Sequence, residues 1–189
     1  MDEKHHLRAR AREARRALSL EERHDASLAI AGLALELLDR TPVTAALGYA
    51  ATAEEADPAP LLEALRLRGA RIALPRVTGP MRLALHWVTP SDGLVAGAFG
   101  ILEPADELPQ ADPREIDVAL VPGLAFDAKC NRIGYGGCFY DGLLPRLRRD
   151  ALKIGLAFDV QLVEEVPAEE HDVPLDWVVT PSAAYPAEE

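Results

Sequence analysis

Between residues 43 and 180, short apolar runs alternate with segments of helical period, and that alternation leaves few architectures open. The segments 43–50, 70–74, 83–88, 116–121, 153–158 and 177–180 read as strands. Residues 58–68 and 139–149 read as helices, the first with Leu61, Leu62 and Leu65 turned inward. Ile-Asp-Val-Ala-Leu-Val over 116–121 is the strongest core-strand signal. Strands interleaved with helices imply an α/β layered fold with a mainly parallel sheet flanked by helices. A Pro- and Gly-bearing stretch, 89–115, reads as surface connection between strands.

Ahead of this body, residues 3–18 carry Leu7, Ala11, Ala14 and Leu18 on one helical stripe. Ser19 with Glu22 is a capping-box signature that opens a second helix running to about Arg40. We therefore expect one domain over 1–189, with an N-terminal helical pair over 1–40 packed on it. No stretch approaches the roughly 18 to 20 apolar residues of a membrane span, and the first ten residues lack a secretory h-region. Two cysteines, Cys130 and Cys138, fit a reducing cytoplasm. A formal net charge of −11 argues against nucleic-acid or anionic-membrane partners. Residues 1–16 run against that balance, with six basic groups to three acidic ones. That segment is either a solvated, ion-paired helix face or a local focus for a small polyanion.

The run Asn-Arg-Ile-Gly-Tyr-Gly-Gly-Cys-Phe-Tyr-Asp over 131–141 follows the core strand and opens the next helix. Open α/β sheets bind ligands at such a place, beyond the carboxyl ends of their strands. Gly134, Gly136 and Gly137 let the backbone approach a ligand, and the helix start favours negative charge, so the loop reads as a phosphate cradle. It is neither a P-loop, since GxxxxGK[ST] is absent, nor a GxGxxG dinucleotide fingerprint.

The full string, with its surroundings, resembles the 5-formyltetrahydrofolate cyclo-ligase family. Pro-Gly-Leu-Ala-Phe-Asp over 122–127 ends the strand as in that family, and 131–141 follows the family's glycine run. The likeness continues at Lys4, Leu7 and Arg8, at Arg16 to Ser19 with Glu21, Glu22 and Arg23, and at Glu55-Ala-Asp57 before Leu61-Leu62. It resumes at Leu74-Pro-Arg-Val77, at Pro167 with His171-Asp172, and at Asp176 through Pro181. The resemblance implies a Rossmann-like fold, and separately from it we expect a cytoplasmic monomer. It also implies ATP- and Mg²⁺-dependent closure of 5-formyltetrahydrofolate to 5,10-methenyltetrahydrofolate, with reduced folate and ATP as small-molecule partners.

On that resemblance Lys4, Arg8, Arg132, Gly134, Gly136, Gly137, Cys138 and Tyr140 hold ATP. Arg132 and Tyr140 act in the chemistry, Ala50, Glu55, Tyr135 and Phe139 contact the folate, and Asp141 and Asp172 hold Mg²⁺. The residue types suit phosphoryl transfer, which asks for positioning and charge neutralisation and not for a protein nucleophile. Lys4 and Arg8 lie four apart on one helix face, Arg132 offers a planar fork, and two carboxylates suit Mg²⁺. Cys138 and Cys130 stand where the family commonly has glycine, and a positive φ at Cys138 would strain the loop by roughly 1 kcal/mol. That departure keeps a second reading open: a nucleotide- or folate-binding sensor on the same fold. Pro145 predicts a kink in the helix after the loop.

Overall fold

The computed structural model describes residues 3–167, 169 and 172–187. Four helices are α1 (Glu3–Ala17), α2 (Leu20–Leu37), α3 (Ala59–Leu67) and α4 (Phe139–Leu143). The first six strands are β1 (Ala45–Leu47), β2 (Arg71–Gly79), β3 (Arg82–Val88), β4 (Leu94–Ala96), β5 (Leu102–Pro104) and β6 (Gln110–Ala111). The last six are β7 (Val118–Val121), β8 (Ala125–Phe126), β9 (Arg132–Ile133), β10 (Leu152–Leu156), β11 (Trp177–Val179) and β12 (Ala184–Pro186).

β7 is buried at every position. Val118 and Leu120 face one apolar cluster with Ala46, Ile72, Ile154 and Leu156, beneath Ile30, Ala34, Leu61 and Leu65 of α2 and α3. Ala119 and Val121 face the opposite cluster with Leu47, Ala73, Phe126, Leu143 and Val178. A strand covered on both faces belongs inside a parallel sheet. The eight-stranded sheet runs β12-β11-β10-β7-β1-β2-β3-β6. The five strands from β11 to β2 are parallel, and antiparallel β12, β3 and β6 close its edges. From β1 the chain passes through α3 to β2 on one side, whereas β7 is followed by β10 on the other. The carboxyl ends of β1 and β7 therefore frame a topological switch point, where such sheets form a crevice.

At the other end of these strands, Asp117 ties the sheet together. It accepts hydrogen bonds from the Thr44 hydroxyl at 2.8 Å and the Ala45 N–H at 2.9 Å, and pairs with Arg148 at 2.6 Å.

The Ser19–Glu22 capping box forms as expected, with the Glu22 N–H donating to Ser19 Oγ at 3.1 Å and the Ser19 N–H to Glu22 Oε2 at 2.7 Å. The two N-terminal helices pack on the body through separate clusters. Leu7 and Ala11 of α1 meet Leu124, Ala125 and Ile133, while α2 covers the sheet beside α3.

Three expectations are corrected. The helix expected over 139–149 is α4, five residues long, followed by a 3-10 turn at Leu144–Arg146. Pro145 has no N–H to continue the α-helical ladder, so the helix ends where a kink was expected. The connection 89–115 contains the β4–β5 ribbon and β6, strands too short to show a period. β12, whose three residues carry no apolar alternation, pairs Tyr185 with Val178.

Candidate active site

A cleft of about 750 Å³ opens beyond the carboxyl ends of β1 and β7. Every residue singled out above lines it: Lys4, Arg8, Ala50, Glu55, Arg132, Gly134, Tyr135, Gly136, Gly137, Cys138, Phe139, Tyr140, Asp141 and Asp172. His171 of the C-terminal motif lies outside the described residues.

The glycine loop hangs from a small hairpin, β8–β9, whose turn is organised by buried Asp127. Asp127 Oδ1 accepts from the N–H groups of Lys129 at 3.0 Å and Asn131 at 2.9 Å. Its Oδ2 accepts from Asn131 Nδ2 and the Val166 N–H, each at 3.0 Å. Cys130 sits in that turn at φ 63°, and the loop itself needs positive φ at Gly136 (101°) and Cys138 (50°). Both cysteines thus occupy left-handed backbone, where a glycine is free of steric cost. The N–H groups of the cradle are followed by a helix of only five residues. Its aligned dipole is short, so the expected helix-start contribution gives way to the loop amides and the surrounding side-chain cations.

Three cations and three carboxylates meet at the cradle. Arg132 Nη2 donates to Asp141 Oδ1 at 2.5 Å, with side chains 5% and 17% exposed. Arg132 Nε is buried with no partner among the described residues. Lys4 Nζ pairs with Asp172 at 2.9 Å and Glu169 at 3.1 Å. Burial pulls the Lys4 pKa down, but the bonds to Asp172 and Glu169 outweigh it and hold the ammonium above its ordinary range. Arg8 Nε donates to the Gly134 carbonyl at 3.0 Å, so α1 grips the loop directly. Asp141 and Asp172, the two carboxylates expected to hold a metal, both line the cleft. Among the described residues no group of three or more His, Cys, Asp or Glu side chains is placed to hold one alone. Such a pair suits Mg²⁺ carried on phosphates, which supply its other ligands together with water.

The other wall is aromatic and acidic. Glu55 Oε2 accepts from the Thr52 N–H at 2.8 Å, and its Oε1 from the Tyr135 hydroxyl at 2.7 Å. Burial, and then the Glu55 carboxylate, push the Tyr135 phenol well above its ordinary pKa of 10.0. The same two influences raise Tyr140, whose buried hydroxyl has no partner among the described residues. Arg132 lies 5.8 Å from the centre of the Tyr140 ring. The Phe139 ring meets Phe99 edge-on at 6.1 Å.

Sequence reasoning missed the β4–β5 ribbon as a wall of this cleft. Phe99 at its tip is 81% exposed with φ 58°, and Leu102 and Glu103 line the cleft beside it. An aromatic residue between glycines, in Gly97-Ala-Phe-Gly100, was the available signal. Arg15, behind Tyr135, was missed as well, because a cation on a strongly basic helix reads as solvated.

Comparisons with known proteins agree with this geometry. The 5-formyltetrahydrofolate cyclo-ligase family matches residues 1–181. A 5-formyltetrahydrofolate cyclo-ligase of Mycolicibacterium smegmatis is 40% identical over 126 residues, 64% of this chain and 65% of that protein. The Escherichia coli K12 enzyme of the same name is 39% identical over 137 residues, 69% of this chain and 74% of its own. The Haemophilus influenzae one is 30% identical over 174 residues, 89% of this chain and 92% of its own. Among solved structures, the Aquifex aeolicus 5,10-methenyltetrahydrofolate synthetase superposes with a TM-score of 0.78 at 33% identity, covering 98% of this chain and 93% of that one. The Mycoplasma pneumoniae synthetase shares the fold, with a TM-score of 0.77 at 23% identity, covering 95% and 99%. With its fold, its cleft and its loop in agreement, the chain belongs to the 5-formyltetrahydrofolate cyclo-ligase family, a family of ligases.

Proposed function

We propose that the chain converts 5-formyltetrahydrofolate and Mg-ATP into 5,10-methenyltetrahydrofolate, ADP and phosphate. The observation that carries this reading is convergence. Basic Lys4, Arg8 and Arg132, acidic Glu55, Asp141 and Asp172, and the glycine loop come from well-separated parts of the chain to one cleft.

The terminal phosphoryl group of ATP passes to the formyl oxygen, a folate nitrogen attacks the activated carbon, and phosphate leaves with that oxygen. The nucleophile belongs to the substrate, so the protein's task is to orient and to stabilise charge. Arg132 is the strongest candidate for the transferring phosphoryl. It is buried, held by Asp141, and keeps an Nε with no partner among the described residues. Tyr140 stays protonated beside it and offers a donor. Lys4 and Arg8 reach the phosphate chain from α1, exchanging the contacts they now make with Asp172 and the Gly134 carbonyl. Asp141 and Asp172 would hold Mg²⁺, which neutralises phosphate charge when bound. Glu55, Tyr135, Phe139 and the apolar surface of Ala50 form the folate wall. The two unpaired cysteines suit a reducing cytoplasm.

A second reading, a sensor that binds both ligands without turnover, draws on one observation. Cys138 places a side chain on left-handed backbone inside the cradle. Oxygen-18 in the formyl group separates the two. We expect the label to appear in inorganic phosphate. Label released to water, or no release with both ligands bound, would refute transfer to the formyl oxygen.

A further inference from the structure

Arg15 is the largest side chain that is fully buried, 1% exposed, although α1 is basic and lies at the surface. Removing a guanidinium from water costs several kcal/mol unless its partners are good. Those of Arg15 are few. Nη1 donates to the Tyr135 hydroxyl at 2.8 Å, Nη2 lies 3.8 Å from Glu54, and Nε is buried without a partner among the described residues. Its guanidinium sits 5.5 Å from the centre of the Tyr135 ring, with Arg12 at 5.9 Å. Packing alone would be served better by an apolar residue, so the buried cation asks for another reason.

The Tyr135 hydroxyl supplies one. It accepts from Arg15 and donates to Glu55 Oε1 at 2.7 Å, so cation, phenol and carboxylate form a single chain of hydrogen bonds. A donor at the phenolic oxygen polarises the O–H toward the carboxylate and strengthens the second bond. With the Thr52 N–H on Oε2, both oxygens of Glu55 are held, and its rotamer is set. Tyr135 lies between Gly134 and Gly136, and Arg8 holds the Gly134 carbonyl. The loop on the phosphate side and the acid on the folate side are therefore joined through one hydroxyl. We infer that Arg15 and Tyr135 are positioning residues which aim the Glu55 carboxylate at the folate, Arg15 acting through the phenol. The inference rests on the reading of Glu55 as a folate contact.

The test is a double-mutant cycle on 5-formyltetrahydrofolate binding without ATP, measured by calorimetry, with melting temperatures recorded for every variant. Tyr135→Phe keeps the ring under Arg12 and Arg15 and removes only the bridge. It should weaken folate binding about fivefold to tenfold, leave the KM for ATP within about twofold, and lower the melting temperature by a few degrees, because Arg15 Nη1 and Glu55 Oε1 each lose a partner. In a Glu55→Ala background the same change should have no further effect. Arg15→Lys, which keeps the charge but loses the fork, should fall between wild type and Tyr135→Phe. If Tyr135→Phe is as costly without Glu55 as with it, or weakens ATP and folate equally, the positioning role is overturned. If Glu55→Ala binds folate like wild type, the reading of Glu55 falls and takes this inference with it. If Glu55→Ala loses folate but Tyr135→Phe does not, only the inference fails.

Discussion

The two cysteines offer matched backbone strain in opposite surroundings. Cys130 and Cys138 have φ of 63° and 50°, left-handed values that cost a side-chain-bearing residue roughly 1 to 2 kcal/mol. Replacing either with glycine removes that strain, while glycine's extra freedom in the unfolded chain takes back about 0.5 to 1 kcal/mol. At Cys138, half-exposed in the cleft, little else is lost, so Cys138→Gly should stabilise by about 0.5 to 1 kcal/mol. For a chain of this length that is a rise of roughly 1 to 4 °C in melting temperature. Cys130 is wholly buried, packs in the cluster with Phe126 and Val178, and donates from Sγ to the Tyr185 carbonyl at 3.4 Å. Losing that side chain opens a small cavity and should outweigh the relief, leaving Cys130→Gly destabilised by about 1 to 2 kcal/mol. Thermal and urea unfolding of both variants read the difference directly. Destabilisation by Cys138→Gly, or stabilisation by Cys130→Gly, would refute the assignment of strain. In turnover, Cys138→Gly should match or exceed wild type, because the loop keeps its shape.

Asp141→Asn leaves Arg132 buried without its counter-charge, so it should lower both turnover and stability, the latter by about 1 to 3 kcal/mol. Full activity in that variant would remove Asp141 from the metal and phosphate reading. Lys4→Ala or Arg8→Ala should raise the KM for ATP more than that for folate, and equal effects would return α1 to a solvated role. A thiol reagent should modify Cys138 before Cys130, whose thiol burial pushes up to about 11, and ATP should protect Cys138. Tyr49, Tyr135 and Tyr140 all have pKa values raised above 10.0 by burial first. The unfolded chain releases those protons first, so the stability these tyrosines contribute should be level below about pH 9 and be lost as pH rises past 10. Stability that keeps rising beyond pH 10 would contradict their burial.

Much of this fold is legible because its central strands are buried on both faces. β7 carries a continuous apolar run, and its period-two contacts to two clusters follow from that alone. The Ser19 cap is legible for a local reason, since both its hydrogen bonds lie within four residues. What escapes is what pairing supplies. β12 is a strand because Val178 lies opposite Tyr185. In the site, the glycine loop could be located from its residues, but not the engagement of its charges. Nothing in the spacing of Arg132 and Asp141, or of Lys4 and Asp172, says that each cation rests on an expected metal ligand. Arg15 escapes for the same reason: its burial is decided by Tyr135, 120 residues away in the chain.

Purified protein with 5-formyltetrahydrofolate, ATP and Mg²⁺, followed by growth of the methenyl absorbance and by ADP release, tests the central claim most directly. We expect one ADP per methenyl product, with no product when either ATP or Mg²⁺ is left out. Folate and ATP bound in the same cleft with neither product nor ADP formed, in wild type and Cys138→Gly alike, would contradict the catalytic claim and leave only the fold.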